Sequence, residues 1–212
     1  MRSEGLDSPE DFLNHLLQTA GMAPLSAREL NRFNAYLSLF VRWNSRINLS
    51  SIRDPQAILS RHFVESIACA RMLPAEIATL LDFGSGGGLP GIPIAICRRD
   101  ISVTLAESQG KKAAFLQEAV RMLGIEASVF AGRAERLQSR FGCVVFRAVD
   151  KMAEAVRMGA QLVAAEGWLA LMTTSEDAPA LQDAAGESFA WQPTQRLPMS
   201  DARVLVVARQ SH

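Results

Sequence analysis

The chain has 212 residues, of which about half are apolar and a fifth are charged, so it is long enough for one substantial hydrophobic core. Its 22 basic and 22 acidic residues cancel, which argues against a general polyanion-binding protein, and no apolar run approaches the ~18 residues of a membrane-spanning helix. The three cysteines are far apart and the three histidines lack metal-ligand spacing, so we expect no disulfide framework and no metal. The N-terminal stretch "MRSEGLDSPEDF" lacks the apolar segment of a signal peptide, and a cytoplasmic location is expected.

The first third of the sequence predicts helices. "SPED" places a capping serine, Ser8, before a proline at the first helical position, and Gly21 is the expected end of that helix. "SARE", which starts at Ser26, is a capping box followed by apolar residues at helical spacing. A further helix is predicted to start at Asp54, which precedes a proline.

This helical part is also the most basic part of the chain. Residues 24–72 hold seven arginines against three acids, so the arginines are candidates for phosphate contacts, or else form a solvated helix face. Trp43, Phe33 and Phe40 have the ring chemistry to stack on bases, but their helical spacing is typical of core residues, and we interpret them as core.

From Ala78 onward, short apolar runs alternate with amphipathic segments, which predicts an α/β fold with a mostly parallel sheet covered on both faces. A domain boundary is expected near Pro74, between a helical extension over 1–73 and a ligand-binding domain over 74–212. The predicted strands are "TLLDF", "SVTLAE", "ASVFA", "GCVVFRA", "WLALMTT" and "ARVLVVARQ", and the predicted helices cover Gly91–Arg99, Lys111–Leu123 and Lys151–Ala164.

The stretch "LDFGSGGGLPG" lies between the first predicted strand and a helix, the context in which a glycine-rich loop binds a ligand. Two motifs fit it. Gly84, Gly86 and Gly88 form G-x-G-x-G, and the last two with Gly91 form the dinucleotide pattern G-x-G-x-x-G. Asp82 would crowd a pyrophosphate but suits the ammonium of a methionine moiety, which favours S-adenosylmethionine over NAD(P).

Two acids follow at suitable distances. Glu107 ends the next predicted strand, where a carboxylate can accept hydrogen bonds from ribose hydroxyls, although ribose occurs in both cofactors. Glu135, in "GRAERL", and its neighbouring backbone could flank an adenine.

Six segments in order resemble the bacterial 16S ribosomal RNA guanine-N7 methyltransferase family, also called glucose-inhibited division protein B: "WNSRINLSSIRDP", "RHFVESI", "LDFGSGGGLPGIPIAI", "TLAESQGKKAAFL", "GRAERL" and "FRAV". The resemblance covers nearly the whole chain. It implies a Rossmann-like class I S-adenosylmethionine-dependent methyltransferase fold with a seven-stranded sheet. It also implies methyl transfer to N7 of a guanine in 16S rRNA, at position 527 in the family, on free RNA or the small ribosomal subunit, by a monomer. An NAD(P)-dependent oxidoreductase and an inactive RNA-binding relative are the alternatives.

The resemblance also assigns roles to residues of this chain. The cofactor-binding residues would be Gly84, Gly86 and Leu89 on the methionine side, Glu107 at the ribose, Ala134 and Glu135 at the adenine, and Arg147. Arg147, Lys111 and Arg133 are the basic candidates for catalysis and RNA contact.

Guanine N7 has a free lone pair, so no general base is needed. A bidentate arginine grip on O6 and N7 would block the reacting atom. Arg147 or Lys111 is therefore expected to contact O6 or a phosphate, unless Arg147 pairs with Asp82 or Glu107 instead. His62 is expected to pack beneath the cofactor loop. Met172 stands where the family has a lysine, so one contact is missing or comes from elsewhere.

Overall fold

The computed structural model describes residues 9–211, with side chains from residue 12 onward. The helical part begins with α1 (Pro9–Thr19), whose predicted cap Ser8 lies outside the described residues. Helix α2 (Ala27–Ile47) starts with the predicted capping box, in which Ser26 N–H donates to the Glu29 carboxylate at 2.8 Å. Helix α3 (Pro55–Ile58) is capped by Asp54 and continues through a π-helical turn (Leu59–Phe63) into α4 (Val64–Met72).

The rest of the chain alternates between strands and helices, as predicted. The strands are β1 (Thr79–Phe83), β2 (Ser102–Glu107), β3 (Ala127–Ala131), β4 (Phe141–Arg147), β5 (Val163–Thr174), β6 (Phe189–Trp191), β7 (Gln195–Arg196) and β8 (Arg203–Gln210). The helices are α5 (Gly91–Cys97), α6 (Gly110–Leu123), α7 (Met152–Ala160) and α8 (Ala178–Ala185), and a 3₁₀ turn spans Ala134–Arg136.

The sheet has the order β3-β2-β1-β4-β5-β8-β6, and the two-residue β7 pairs with β8. Strands β1 to β5 are parallel, whereas β8 runs antiparallel to β5 and β6. This confirms the predicted methyltransferase-type sheet, with seven strands along its path and β7 as an addition.

Four details differ from the sequence prediction. The helix predicted over Lys151–Ala164 ends at Ala160, because Val163 already pairs with Phe141 as the first residue of a longer β5. Helix α8 and strands β6 and β7 were not predicted. They are too short to show a clear period in the sequence.

The sheet is buried on both faces because alternate residues of its strands point to opposite sides. Leu80 packs in a core with helices α1 to α6, and Leu81 packs in a second core with α7 and α8. The predicted boundary at residue 74 falls between α4 and β1, but the first core is continuous across it. The division into two domains therefore stays a prediction.

Several arginines of the helical part are engaged in structural contacts. Arg32 donates to the carbonyls of Leu123 and Gly124 at the carboxyl end of α6, where a cation is favourable, and Arg71 donates to Ala23. Over residues 9–211, no helix has the length and apolarity of a bilayer span, and no group of three or more potential metal ligands comes together.

Candidate functional site

The carboxyl ends of the central strands surround a cavity of about 350 Å³, here called the crevice. Its lining begins at Gly84 after β1 and Ala106 on β2. It continues with 132–135 after β3 and 149–151 after β4. In open α/β sheets this edge is the usual place for a ligand. The glycine loop singled out in the sequence therefore lies at the edge of the sheet where ligands usually bind, and its role as a binding site stays a prediction.

The glycine loop presents bare backbone at the mouth of the crevice. Gly84 and Gly86 have φ angles of +73° and +56°, a left-handed conformation that disfavours any side chain. A Cβ on Gly84 would lie 3.2 Å from the side chain of Val149, whereas one on Gly86 would meet only the Gly84 carbonyl oxygen, at an ordinary contact distance of 3.8 Å. The first glycine therefore permits a close approach of Val149, and at the second only the backbone conformation calls for glycine.

The helical part supports this loop from below. The Tyr36 hydroxyl donates to the Gly87 carbonyl at 2.5 Å, and the Tyr36 ring stacks on Phe63 with centroids 4.8 Å apart. A Cβ on Gly87 would lie 2.7 Å from the ring of Phe40. Sequence analysis placed Phe40 in the core correctly but missed Tyr36, the only tyrosine of the chain.

Asp82 does not open onto the crevice, contrary to the role expected for it. Its side chain is buried and accepts a hydrogen bond from Gly91 N–H at 3.1 Å, at the start of α5. Burial raises the pKa of this carboxyl to about 7, against the opposing effect of its hydrogen bonds. Asp82 thus organises the loop from within, and its carboxylate is not among the groups that line the crevice.

Glu107 lies at the end of β2, and its carboxylate is fixed by two backbone groups. Gly86 N–H donates to one oxygen at 2.9 Å and Gln109 N–H donates to the other at 2.7 Å. A carboxylate has about four acceptor positions, and these two bonds use two of them. Glu107 is buried and is not among the residues that line the crevice, so its expected role at a ribose stays a prediction.

The other predicted residues lie at different parts of the edge. Ala134 and Glu135 line the crevice, and Arg133 lines it too, paired with Glu135 at 2.7 Å. Leu89 is buried in the core beside the loop. Lys111 is exposed on the first turn of α6 and lines neither the crevice nor the second cavity described below.

Arg147 lies on the opposite side of β4 from the crevice residues, facing the helical part. Its Nη2 donates to the Arg61 carbonyl at 3.2 Å and to the Glu65 carboxylate at 3.0 Å, and it lies 3.0 Å from His62 Nδ1. The alternative considered for Arg147, a salt bridge to Asp82 or Glu107, is therefore not formed: the acid is Glu65. The next residue, Ala148, has a φ of +51°, an uncommon conformation outside glycine that turns the chain here. The three basic candidates are not brought together.

His62 connects Arg147 to the loop before α3. Nδ1 of His62 faces the guanidinium, which only donates, and this favours the tautomer with the proton on Nε2, which lies 2.8 Å from Ser50 Oγ. Nη2 of Arg147 has two hydrogens for three neighbouring acceptor atoms, so its contact with His62 is shared with those to Arg61 and Glu65. Burial, with the nearby Arg147 charge, lowers the pKa of His62 to about 4. In the favoured tautomer Nε2 donates to Ser50 Oγ, which argues against an activated serine. His62 contacts Phe40 rather than the glycine loop itself.

Glu65 has a second cationic neighbour, Arg203, at the start of β8, with Nη2 of Arg203 3.7 Å from its carboxylate. Met172, at the position of the expected lysine, is fully buried between Arg147 on β4 and Leu205 on β8. Sequence analysis missed both Glu65 and Arg203. The available signals were an acid inside the apolar run "FVESIACA" and an arginine directly before "VLVVA".

Comparison with known proteins gives a family. The model of the GidB family, described as rRNA small subunit methyltransferase G, matches residues 29–196. The relative named ribosomal RNA small subunit methyltransferase G from Stenotrophomonas maltophilia strain K279a is 45% identical over 140 residues, 65% of each chain. Its namesake from Xanthomonas oryzae pv. oryzae strain MAFF 311018 is 41% identical over 159 residues, 74% of this chain and 70% of that protein. The match thus spans slightly less than two thirds of the Stenotrophomonas relative's length.

Solved structures support the fold independently. A methyltransferase from Pyrococcus furiosus gives a TM-score of 0.62 at 8% identity, covering 86% of this chain and 99% of that one. A SAM-dependent methyltransferase from Aquifex aeolicus gives 0.57 at 15% identity, covering 74% and 94%. The likeness shows the fold, and the family model, which includes the glycine loop, the crevice and Arg147, shows the family: this chain belongs to the GidB family of rRNA small subunit methyltransferase G proteins.

Proposed function

We propose that this protein transfers a methyl group from S-adenosylmethionine to N7 of a guanine in 16S rRNA. The observation that carries the proposal is the crevice itself, in which bare backbone at Gly84, in the glycine loop after β1, faces a cavity also lined by Ala134 and Glu135. Family membership supports the choice of methyl donor and of ribosomal RNA.

The residues present fit the cofactor. The bare backbone of the glycine loop at Gly84 and Gly86 would lie against the methionine part, with Leu89 behind the loop. The spare acceptor positions of Glu107 suit ribose hydroxyls, and the wall at Ala134 and Glu135 suits the adenine. When bound, S-adenosylmethionine supplies an electrophilic methyl group on a sulfonium, so the protein needs no nucleophile of its own.

The contribution of the chain to the reaction is alignment and exclusion of water. Guanine N7 attacks with a lone pair that is already free, so the reaction needs no general base, and the Ser50–His62 pair is not required to activate N7. Nη2 of Arg147 is hydrogen-bonded to Glu65. Arg147 therefore does not form a bidentate pair of hydrogen bonds with O6 and N7 of the guanine, and N7 stays accessible. The rate then depends on holding N7, methyl and sulfur in line.

The test combines binding and chemistry. Purified protein is titrated with S-adenosylmethionine and, separately, with NADH, and then incubated with labelled cofactor and small ribosomal subunits that lack the modification. We expect saturable binding of the methyl donor only, and label on N7 of one guanine when the RNA is mapped. NADH binding would support the oxidoreductase alternative, and RNA binding without label would support an inactive relative.

The finer points of the proposal follow from the substrate. The target is the same guanine that the family modifies, on the small subunit or on free 16S rRNA, and the enzyme works as a cytoplasmic monomer. Mapping both substrates side by side, and measuring the mass of the active species by light scattering, tests these points.

A further inference from the structure

A second cavity of about 350 Å³, here called the arginine cavity, lies on the other side of Arg147 from the crevice. Three arginines line it, Arg61, Arg147 and Arg203, and Glu65 is the one acid among its lining residues in the described part of the chain. His62 also lines it, but is neutral. Among the lining residues that the structure describes, the cavity therefore carries an excess of about two positive charges.

Arg203 is the least satisfied of these arginines. Within residues 9–211, its guanidinium donates no hydrogen bond and has only the ion pair with Glu65 at 3.7 Å, although its side chain is 28% exposed. Arg147 is better anchored, but its Nε is also buried without a partner. Nε of Arg203 is buried without an acceptor, and the rest of its guanidinium stays partly exposed at the cavity, so the site has donors that an anion would satisfy.

The position of Arg203 separates it from the crevice. In the sheet, β5 lies between β4 and β8, and neighbouring strands are about 4.8 Å apart, so β8 lies about 10 Å beyond β4. The ribose and adenine walls at Glu107 and Ala134 lie in the other direction, on β2 and after β3. A ligand held by Arg203 thus approaches the reacting centre from the side opposite the adenosine.

We propose that the arginine cavity is a phosphate site, in which Arg203, with Arg61, binds a backbone phosphodiester of the RNA substrate next to the target nucleotide. The forked guanidinium donors suit phosphate oxygens, and three arginines would repel a bound sulfonium rather than hold it. Arg203 would also account for the cation missing at position 172, because Met172 and Arg203 lie on the same face of β5 and β8.

This inference rests on the proposed function, since it supposes an RNA substrate. The competing source of an anion is the carboxylate of the cofactor, and the two sources differ in what they predict. If Arg203 contacts a phosphate, the slope of log RNA affinity against log salt concentration is steeper by about 0.7 to 0.9 because of that contact. If Arg203 contacts the cofactor instead, only the affinity for S-adenosylmethionine depends on it.

The experiment compares the wild type with Arg203→Gln, Arg203→Lys and the control Arg209→Gln. Arg209 is on the same strand, exposed, and paired with Glu166, so the control removes the same charge away from the cavity. Affinity for unmodified small ribosomal subunits is measured at several salt concentrations, and affinity for S-adenosylmethionine by calorimetry. Thermal melting confirms that each variant is folded.

We expect Arg203→Gln to weaken RNA binding about tenfold and to lower the salt slope by about 0.7 to 0.9, with cofactor affinity within twofold of wild type. Arg203→Lys should keep the slope, and Arg209→Gln should match the wild type. Weaker cofactor binding with an unchanged slope would assign the site to the cofactor, and no change in either would leave Arg203 a structural residue; both overturn the proposal. Because the slope comes from binding, a wild type without transfer activity would overturn the proposed function and still test this site.

Discussion

Arg147 at the end of β4 lies 3.0 Å from Glu65 on α4, and both side chains are more than nine-tenths buried. The pair connects the helical part of the chain to the edge of the sheet where the ligands are proposed to bind. A buried ion pair contributes little stability relative to an apolar pair, but removing one partner leaves the other charge buried and unpaired. The orientation of Arg147 therefore depends on an acid from a distant part of the sequence.

Replacing Glu65 tests this dependence. Glu65→Gln leaves both Arg147 and Arg203 without an anion, and we expect a loss of about 3–5 kcal/mol in the free energy of unfolding, measured with urea. Arg203→Gln leaves Glu65 paired with Arg147 and should cost much less. Equal losses for the two variants would contradict the view that Arg147 is the principal partner of Glu65.

Tyr36→Phe tests whether the helical part holds the glycine loop. The variant keeps the ring stack on Phe63 but leaves the Gly87 carbonyl without its donor, which should cost about 1–3 kcal/mol. Because the loop would be less ordered, affinity for S-adenosylmethionine should fall as well. Urea unfolding and calorimetry give the two values, and a stability loss with unchanged affinity would show that the loop does not need this support.

Much of this arrangement could be predicted from the sequence, and the limit has a physical cause. Strands β1, β2 and β3 were predicted with the correct bounds because each is a short apolar run ended by polar or glycine residues. The crevice was predictable because the glycine loop is contiguous. The contact between Glu65 and Arg203 joins residues far apart in the chain, and no local pattern encodes it.

Asp82→Asn tests the effect of burying a carboxyl under the loop. The pKa of Asp82 is about 7 in the folded protein and about 3.9 when unfolded, so between these values the folded state binds one more proton. Its contribution is full below pH 4 and lost as the pH rises to 7, with a slope of about 1.4 kcal/mol per pH unit. The stability of Asp82→Asn relative to wild type should thus increase from pH 4 to 7, in urea titrations at each pH, and a constant difference would contradict the raised pKa.

His62→Gln should show the opposite dependence. The pKa of His62 is about 4 in the folded protein, because of burial and the Arg147 charge, and about 6.5 when unfolded. The unfolded state binds the extra proton, so this contribution is present above pH 6.5 and lost as the pH falls to 4. The free energy of unfolding of His62→Gln relative to the wild type should therefore increase as the pH falls from 6.5 to 4. In the wild type, the pH dependence of stability due to His62 opposes that due to Asp82. The double variant His62→Gln/Asp82→Asn should show neither dependence.

The last prediction concerns the cation that the family resemblance places at position 172. Met172→Lys would bury an ammonium beside Arg147, where Glu65 already faces two arginines, and we expect a loss of about 3 kcal/mol or more. If positions 172 and 203 serve one site, Arg203→Gln should relieve part of that cost, with a coupling energy of about 0.5–3 kcal/mol in a double-mutant cycle. The double variant should also recover the salt slope of RNA binding that Arg203→Gln alone loses. If the losses in free energy of unfolding are additive and the salt slope of RNA binding stays low in the double variant, the two positions are independent. Arg203 on β8 then does not replace a cation at position 172 on β5.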